Sequence, residues 1–196
     1  MKHIARLFII IGFVFLAIGG YQYIKTELGE KQAHQEAEEL LARSNSNTEL
    51  AGDKSDDDSV FNPGQGETVG LLEIDKIEAS IPIIEGTDPD DLERGVGHLS
   101  QSAYPGENDQ ILLSGHRDTV FTRLGEIKNG DIIRLDLPYG TFEYEMVDSI
   151  IVSADDTSVI GSTAPDEELV LSTCYPFGYI GSAPERYVIY AVPVEK

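Results

Sequence analysis

From Val69 onward the chain keeps one period. "DIIRLDLP", "GTFEYEMVDSIIVS", "ELVLSTC" and "RYVIYAVPV" alternate apolar and polar residues, as strands with one buried face do. "VGLLEI", "ASIPIIEG" and "DQILLSG" are further short β runs, and Pro82 in the second marks an edge or a bulge. Helical signal is sparse. "DPDDLERG" offers Asp88 as a cap, Pro89 at the first helical position and Gly95 past the end, which predicts one short helix. "TRLGEI" predicts one more turn of helix, and "KNG" a tight turn. About eight short strands with so little helix predict an all-β fold, a closed or nearly closed barrel.

The N-terminus has a different character. Lys2 and Arg6 precede an uncharged stretch from Leu7 to Ile24. A membrane helix needs about 17–25 mainly apolar residues, and this stretch just qualifies. Tyr21 and Tyr23 sit at its outer end, where interfacial aromatics belong. The basic residues before it keep that end cytoplasmic, with Lys25 opposing weakly. A cleaved signal peptide is the competing reading, but "LAIGG" followed by Tyr-Gln-Tyr is a poor cleavage site. The expectation is an uncleaved, single-pass signal anchor with the remainder of the chain outside the cytoplasm. Three regions follow: 1–25 as tail and anchor, 26–67 as a helical then disordered acidic stalk, and 68–196 as the folded domain. Within the stalk, 26–43 favours helix, with Ala33, Ala37, Leu40 and Leu41 near one face and His34 read as solvated. Residues 44–67 have linker composition, and "DKSDDD" within them reads as a solvated charge run.

Composition closes off several functions. Lys and Arg number 14 against 35 Asp and Glu, a formal charge of -21, so nucleic acid is not the expected partner. A single cysteine excludes an intramolecular disulfide framework and a Cys-cluster metal site. No cofactor is expected. Calcium stays open as an alternative, though no carboxylate spacing here forms a recognisable site.

That cysteine, Cys174, ends the strand "ELVLSTC" and is followed by "YPFGYIGSAPE", a Pro- and Gly-containing loop. The next strand opens at Arg186. Strands joined by one loop tend to be neighbours, so Arg186 is expected near Cys174, where a guanidinium can donate to a carbonyl oxygen gaining charge. An Arg paired with an acid such as Glu185 is the plainer reading. A thiol nucleophile also needs a proton-transfer partner. His116 ends "ILLSGHRDT" at another strand end, while His98 sits in what reads as a loop, "RGVGHLSQSAYPGEND". Placement favours His116.

Taken together, "ILLSGHRDT", "LVLSTC" and "APERYVIYA" resemble the sortases, cysteine transpeptidases of Gram-positive cell surfaces. The resemblance covers about Val69 to Pro193. It implies the eight-stranded sortase β-barrel with one or two short helices, behind a membrane helix and stalk. It implies catalytic roles for His116, Cys174 and Arg186, and it carries over Thr173, with Ser114 and Tyr175, as substrate-binding residues. "GHRDTVFTRL" and "TCYPFGYIGSAPERYVIYA" look most like class D, with a class A housekeeping enzyme as the nearest alternative. The stretch "DDTSVIG" falls in the family's variable substrate-facing region.

The activity implied is cleavage of a Leu-Pro-x-Thr-type sorting signal on secreted proteins, through a Cys174 thioacyl intermediate, with transfer to a peptidoglycan-precursor amine. Water as the acceptor gives hydrolysis, the reaction of a thiol protease. An unperturbed thiol titrates at about 8.5 and an unperturbed imidazole at about 6.5. A thiolate beside an imidazolium is therefore a minority state without strong coupling, and turnover is expected to be bell-shaped in pH. Other classes fit less well. Papain-like proteases place Cys before His, the reverse of this chain. The L,D-transpeptidases put an Arg directly after the Cys motif, which "TCYPF" lacks. A non-catalytic surface-binding domain would leave Cys174 unreactive.

Overall fold

The computed structural model describes residues 2–50, 61–179 and 181–194. The elements are α1 (Lys2–Leu50), β1 (Thr68–Ile74), β2 (Ala79–Glu85), α2 (Pro89–Leu92), β3 (Val96–His98), β4 (Gln110–Gly115), β5 (Ile132–Leu137), β6 (Gly140–Ser153), β7 (Glu168–Tyr175) and β8 (Glu185–Pro193). Single 3-10 turns lie at Asp75–Ile77 and Leu124–Glu126. The strands close into an eight-stranded barrel in the order β1-β2-β3-β4-β7-β8-β6-β5, with β5 pairing back onto β1. Pairing is antiparallel except between β2 and β3 and between β4 and β7.

Alternation decides which side chains fill the barrel. Ile111 and Leu113 of β4, Leu169 and Leu171 of β7, and Ile189 and Ala191 of β8 point into one core with Leu72, Ile83, Ile133 and Tyr144. Their neighbours Leu112, Val170 and Val188 point outward into a second, smaller apolar cluster. Burying both faces explains why β4 and β7 read as continuous apolar runs rather than strict alternation.

Two sequence expectations need correction. Val96–His98, read as loop, is the strand β3, and it is buried along its length. Three residues, one of them Gly, carry too little periodicity to reveal a strand. Pro82 marks no bulge, but it lies in the part of β2 that is paired on one side only. It pairs with Leu71 and lies one residue before the stretch that pairs with β3, and the β1–β2 irregularity falls at Thr68/Gly70 instead. A Cβ on Gly95 would stand 2.1 Å from the Pro82 carbonyl oxygen, so only glycine lets the chain enter β3 so close to β2.

The N-terminal region also differs from a free stalk. α1 is one helix of 49 residues, continuing through Ser44–Leu50 where composition predicts linker. Part of it is long and apolar enough to cross a membrane. Its later turns lie on the barrel, with Ala33 and Ala37 fully buried. Small side chains there let the helix approach β1 and β2 closely. Around that seam Glu36 accepts from Thr68 Oγ1 at 2.9 Å and from Arg94 Nη2 at 3.1 Å. Lys25 reaches Glu93 at 3.3 Å, and the Ser44 hydroxyl donates to the Pro138 carbonyl. His34, expected to be solvated, shares a 3.0 Å hydrogen bond with Ser80. Docking against the barrel stabilises helix that composition alone would not. The acidic run Asp53–Asp58 lies outside the described residues.

Candidate active site

Strand parity brings the candidates together. On β7, Leu169, Leu171 and Thr173 turn inward, so Val170, Ser172 and Cys174 share the outer face. On β4, Ile111 and Leu113 turn inward, so Leu112 and Ser114 face out, and His116 follows in the same phase. β4 and β7 run parallel, with Ser114 beside Ser172 and Gly115 beside Thr173. The next position on each is His116 and Cys174. On the other side, β8 is antiparallel to β7, and Cys174 is paired directly with Arg186. Three neighbouring strands thus deliver an imidazole, a thiol and a guanidinium to one rim. His116 is exposed, and Cys174 and Arg186 are half-buried.

The rim is held from beneath. Thr173 is buried, and its hydroxyl donates to the Gly115 carbonyl at 2.7 Å, fastening β7 to β4 one residue before the thiol. Thr173, expected to line the substrate site, faces inward. Tyr175, expected to bind substrate, shares that inward phase. Its ring packs against Phe177 at 5.6 Å and Tyr187 at 6.2 Å, on the side of the strand opposite Cys174. Ser114 does share the outer face. Alternation counted from Leu169 already separates Thr173 and Tyr175 from Cys174. After β4 the chain turns sharply, with Phe121 N–H donating to the His116 carbonyl at 3.0 Å. Phe121 packs so close that a Cβ on Gly115 would lie 2.7 Å from its ring.

Arg117 went unnoticed in the sequence. It is almost completely buried. Its guanidinium donates to the carbonyls of Pro176 at 3.0 Å and Tyr179 at 2.7 Å, and grips the Asp118 carboxylate at 2.9 and 3.2 Å. It thus ties the segment after Cys174 to the turn after His116. Asp118 raises the guanidinium's pKa, and the Cys174 sulfur contributes in the same direction. In return Arg117, with a smaller effect from His116, holds the Asp118 carboxyl below its usual range. The Tyr175–Pro176 peptide bond in this segment is cis. Arg186 donates from Nη1 to the Glu185 backbone carbonyl at 3.0 Å, not to a carboxylate.

His98 is engaged elsewhere. It is buried, with Nδ1 at 2.7 Å from Glu85 and Nε2 at 3.0 Å from the Ala103 carbonyl, and its ring is stacked on Tyr104 at 4.0 Å. No group of His, Cys, Asp and Glu suited to a metal ion occurs among the described residues.

A closed barrel with Cys, His and Arg at adjacent strand ends defines a class, and the comparisons agree. Residues 72–194 match the sortase domain model, and the chain belongs to the sortase family of cysteine transpeptidases. Within it the chain is most like class D. It is 50% identical over 193 residues to Sortase D of Bacillus subtilis (strain 168), covering 97% of this chain and 98% of that one. The solved structure of a Clostridium perfringens Sortase D5 transpeptidase matches with a TM-score of 0.69 and 26% identity, over 85% of this chain and 99% of that one. The sortase C structure from Clostridium perfringens SM101, 24% identical, shares the fold with a TM-score of 0.62 over 92% of this chain and 99% of that one. The relation to Sortase D favours class D over a class A housekeeping enzyme, and an enzyme over a non-catalytic binding domain.

Proposed function

We propose that this chain is a single-pass membrane sortase with its barrel outside the cell. It cleaves a Leu-Pro-x-Thr-type signal on secreted proteins and transfers them to a peptidoglycan-precursor amine. The observation that carries this reading is the shared outer face of Cys174 on β7 and Arg186 on β8, with His116 directly after β4 in the same phase. The Cys174 thiolate attacks the Thr carbonyl carbon, forming the C–S bond. Arg186 donates to the oxygen as it becomes an oxyanion. The C–N bond then breaks, and His116 gives its proton to the leaving amine. The acceptor amine attacks the thioester, His116 takes up its proton, and Cys174 departs as thiolate. Water in place of the amine gives hydrolysis.

Below the thiol, the outer face runs over Ser172 and Ser114 to Val188, Leu112 and Val170. The segment 154–167, which joins β6 to β7, lies against this face and adds Val159 to the apolar cluster. Leu112, Val170 and Val188 are buried there, so the accessible part of this face beside Cys174 is Ser172 and Ser114, both half-buried. The test is product analysis by mass spectrometry, with the full chain in detergent, a library of sorting-signal peptides and several amines. Cleavage after Thr with amine-joined products is the expected result. Cleavage at unrelated sequences, or none, would refute the assignment.

Arg117 makes a separate prediction. Arg117→Met should release Pro176 and Tyr179 and lower kcat/KM by about ten- to a hundredfold, the scale of a small misplacement at a reacting centre. Arg117→Lys keeps the charge but cannot reproduce the fork, and should recover only part. Steady-state kinetics of both variants, with melting curves as a control, checks this.

A further inference from the structure

We propose that α1 is a rigid strut that holds the catalytic rim at a fixed height above the membrane, so that the enzyme reads how far a cleavage signal stands from the bilayer. This rests on the membrane-anchored reading above.

The uncharged stretch from Leu7 to Ile24 is 18 residues, about 27 Å of helix against a hydrocarbon core of about 30 Å. Large apolar side chains along it, among them Phe13, Phe15, Leu16 and Ile24, stand exposed, and nothing in the most apolar window is buried. Contact with the barrel begins at the next residue. Lys25 Nζ lies 3.7 Å from Asp90 in α2 and 3.3 Å from Glu93 just after it. The same helix then stays on the barrel as far as Ser44. No free turn therefore separates the lipid-facing segment from the docked one.

The seam touches separate parts of the barrel. Beyond α2, Ser80 Oγ at the start of β2 lies 3.0 Å from His34 Nε2 and donates to Glu73 of β1 at 2.6 Å. Glu36 meets Thr68 at the start of β1, and Ser44 meets Pro138 between β5 and β6. Contacts so spread fix the direction of the helix as well as its place. An exposed ion pair such as Lys25–Glu93 holds little by itself. The buried face holds more. Ala33 and Ala37, one turn apart, are fully buried, and Gly29 continues their face, with the Arg94 side chain 3.6 Å from where its Cβ would stand. Arg94 binds Glu36 at 3.1 Å, Thr68 Oγ1 at 3.1 Å and the Gly66 carbonyl at 2.6 Å, joining the helix to the segment that enters β1. A flexible stalk over residues 26–43 would have ends about 20–25 Å apart on average and would let the barrel wander on that scale. A docked helix does not.

The probes are Leu-Pro-x-Thr peptides coupled to a lipid through Gly-Ser spacers of graded length, in vesicles holding the full chain, with the free peptide assayed beside them. The wild type should cleave spacers above a threshold length, with the rate falling about threefold for each further doubling. Shorter spacers should be cut at least about tenfold more slowly. A short Gly-Ser insertion between Ile24 and Lys25 leaves the seam whole but adds slack, and should remove the threshold. The double substitution Ala33→Arg, Ala37→Arg should remove it by undocking the helix, and should also speed amide hydrogen exchange across residues 26–43. Ala33→Ser should keep both wild-type behaviours. Free-peptide kcat/KM should stay within about twofold throughout. A wild type indifferent to spacer length, an insertion variant that keeps the threshold, or exchange unchanged by the double substitution would overturn the strut, while free-peptide cleavage leaves the functional reading standing. A wild-type chain that cleaves no free peptide would sink that reading and this inference together.

Discussion

Replacing Cys174 by alanine should abolish transpeptidation and hydrolysis together, by at least about a thousandfold, the scale seen when a covalent nucleophile is removed. No other cysteine can substitute, because the chain has one. The fold should survive. Cys174 lies half-buried on the outer face at a strand end, away from the barrel's interior cluster, so loss of its sulfur should change stability by less than about 1 kcal/mol. His116→Ala and Arg186→Ala test the partners. His116→Ala should remove proton transfer to the leaving amine and cost about a hundred- to ten-thousandfold. Arg186→Ala should remove oxyanion stabilisation and cost about a hundred- to a thousandfold. Cleavage assays by chromatography, paired with thermal melts, separate these losses from unfolding. Retained cleavage by a well-folded Cys174→Ala protein would exclude the mechanism.

The largest stability effect should come from the buried cluster between β2 and β3. Glu85 is buried, and its Oε2 lies 2.7 Å from His98 Nδ1 and 2.5 Å from the Tyr104 hydroxyl. Ser102 Oγ closes the set at 3.1 Å from His98 Nε2. Burial, then Glu85, push the Tyr104 phenol's pKa upward, so it remains a donor. Together these groups join β2 and β3 to the loop that leads into β4. Glu85→Ala would leave the imidazole and the phenol without their shared acceptor inside the fold. Breaking one half of a buried pair costs about 3–5 kcal/mol, a drop in Tm on the order of 10 °C for a chain of this size. Tyr104→Phe removes a single hydrogen bond and should cost about 1 kcal/mol. Calorimetry of both variants checks the ordering. A Glu85→Ala protein that melts with the wild type would show that the cluster does not hold the barrel.

The alternation from Val69 onward was enough to place the long strands, because each buries one face and shows period two. The site's pairing was legible for the same reason. Cys174 and Arg186 flank a single loop, and antiparallel neighbours must meet there. What the sequence hid depends on contacts between distant positions. β3 is too short to show a period, so His98 read as a loop residue although Glu85 binds it in the interior. The docking of α1 rests on Ala33 and Ala37, whose small side chains mark a close approach only once β1 and β2 are known to lie beneath. Asp109, Gln110 and Arg117 all act on backbone about 50 or more positions away. Backbone acceptors and donors leave no mark in side-chain identity. Arg117 stands directly beside His116, but its burial, which makes its partners obligatory, shows only in the fold.

The most direct test of the central claim is intact and peptide-level mass spectrometry of the full chain mixed with a Leu-Pro-x-Thr peptide and quenched in acid before turnover is complete. The account predicts a mass increase equal to the acyl portion of the peptide. It should map to the fragment containing Cys174, vanish on addition of an acceptor amine, and be absent from Cys174→Ala. Peptide cleavage at full rate with Cys174 unmodified at every time point, or an adduct on another residue, would contradict it.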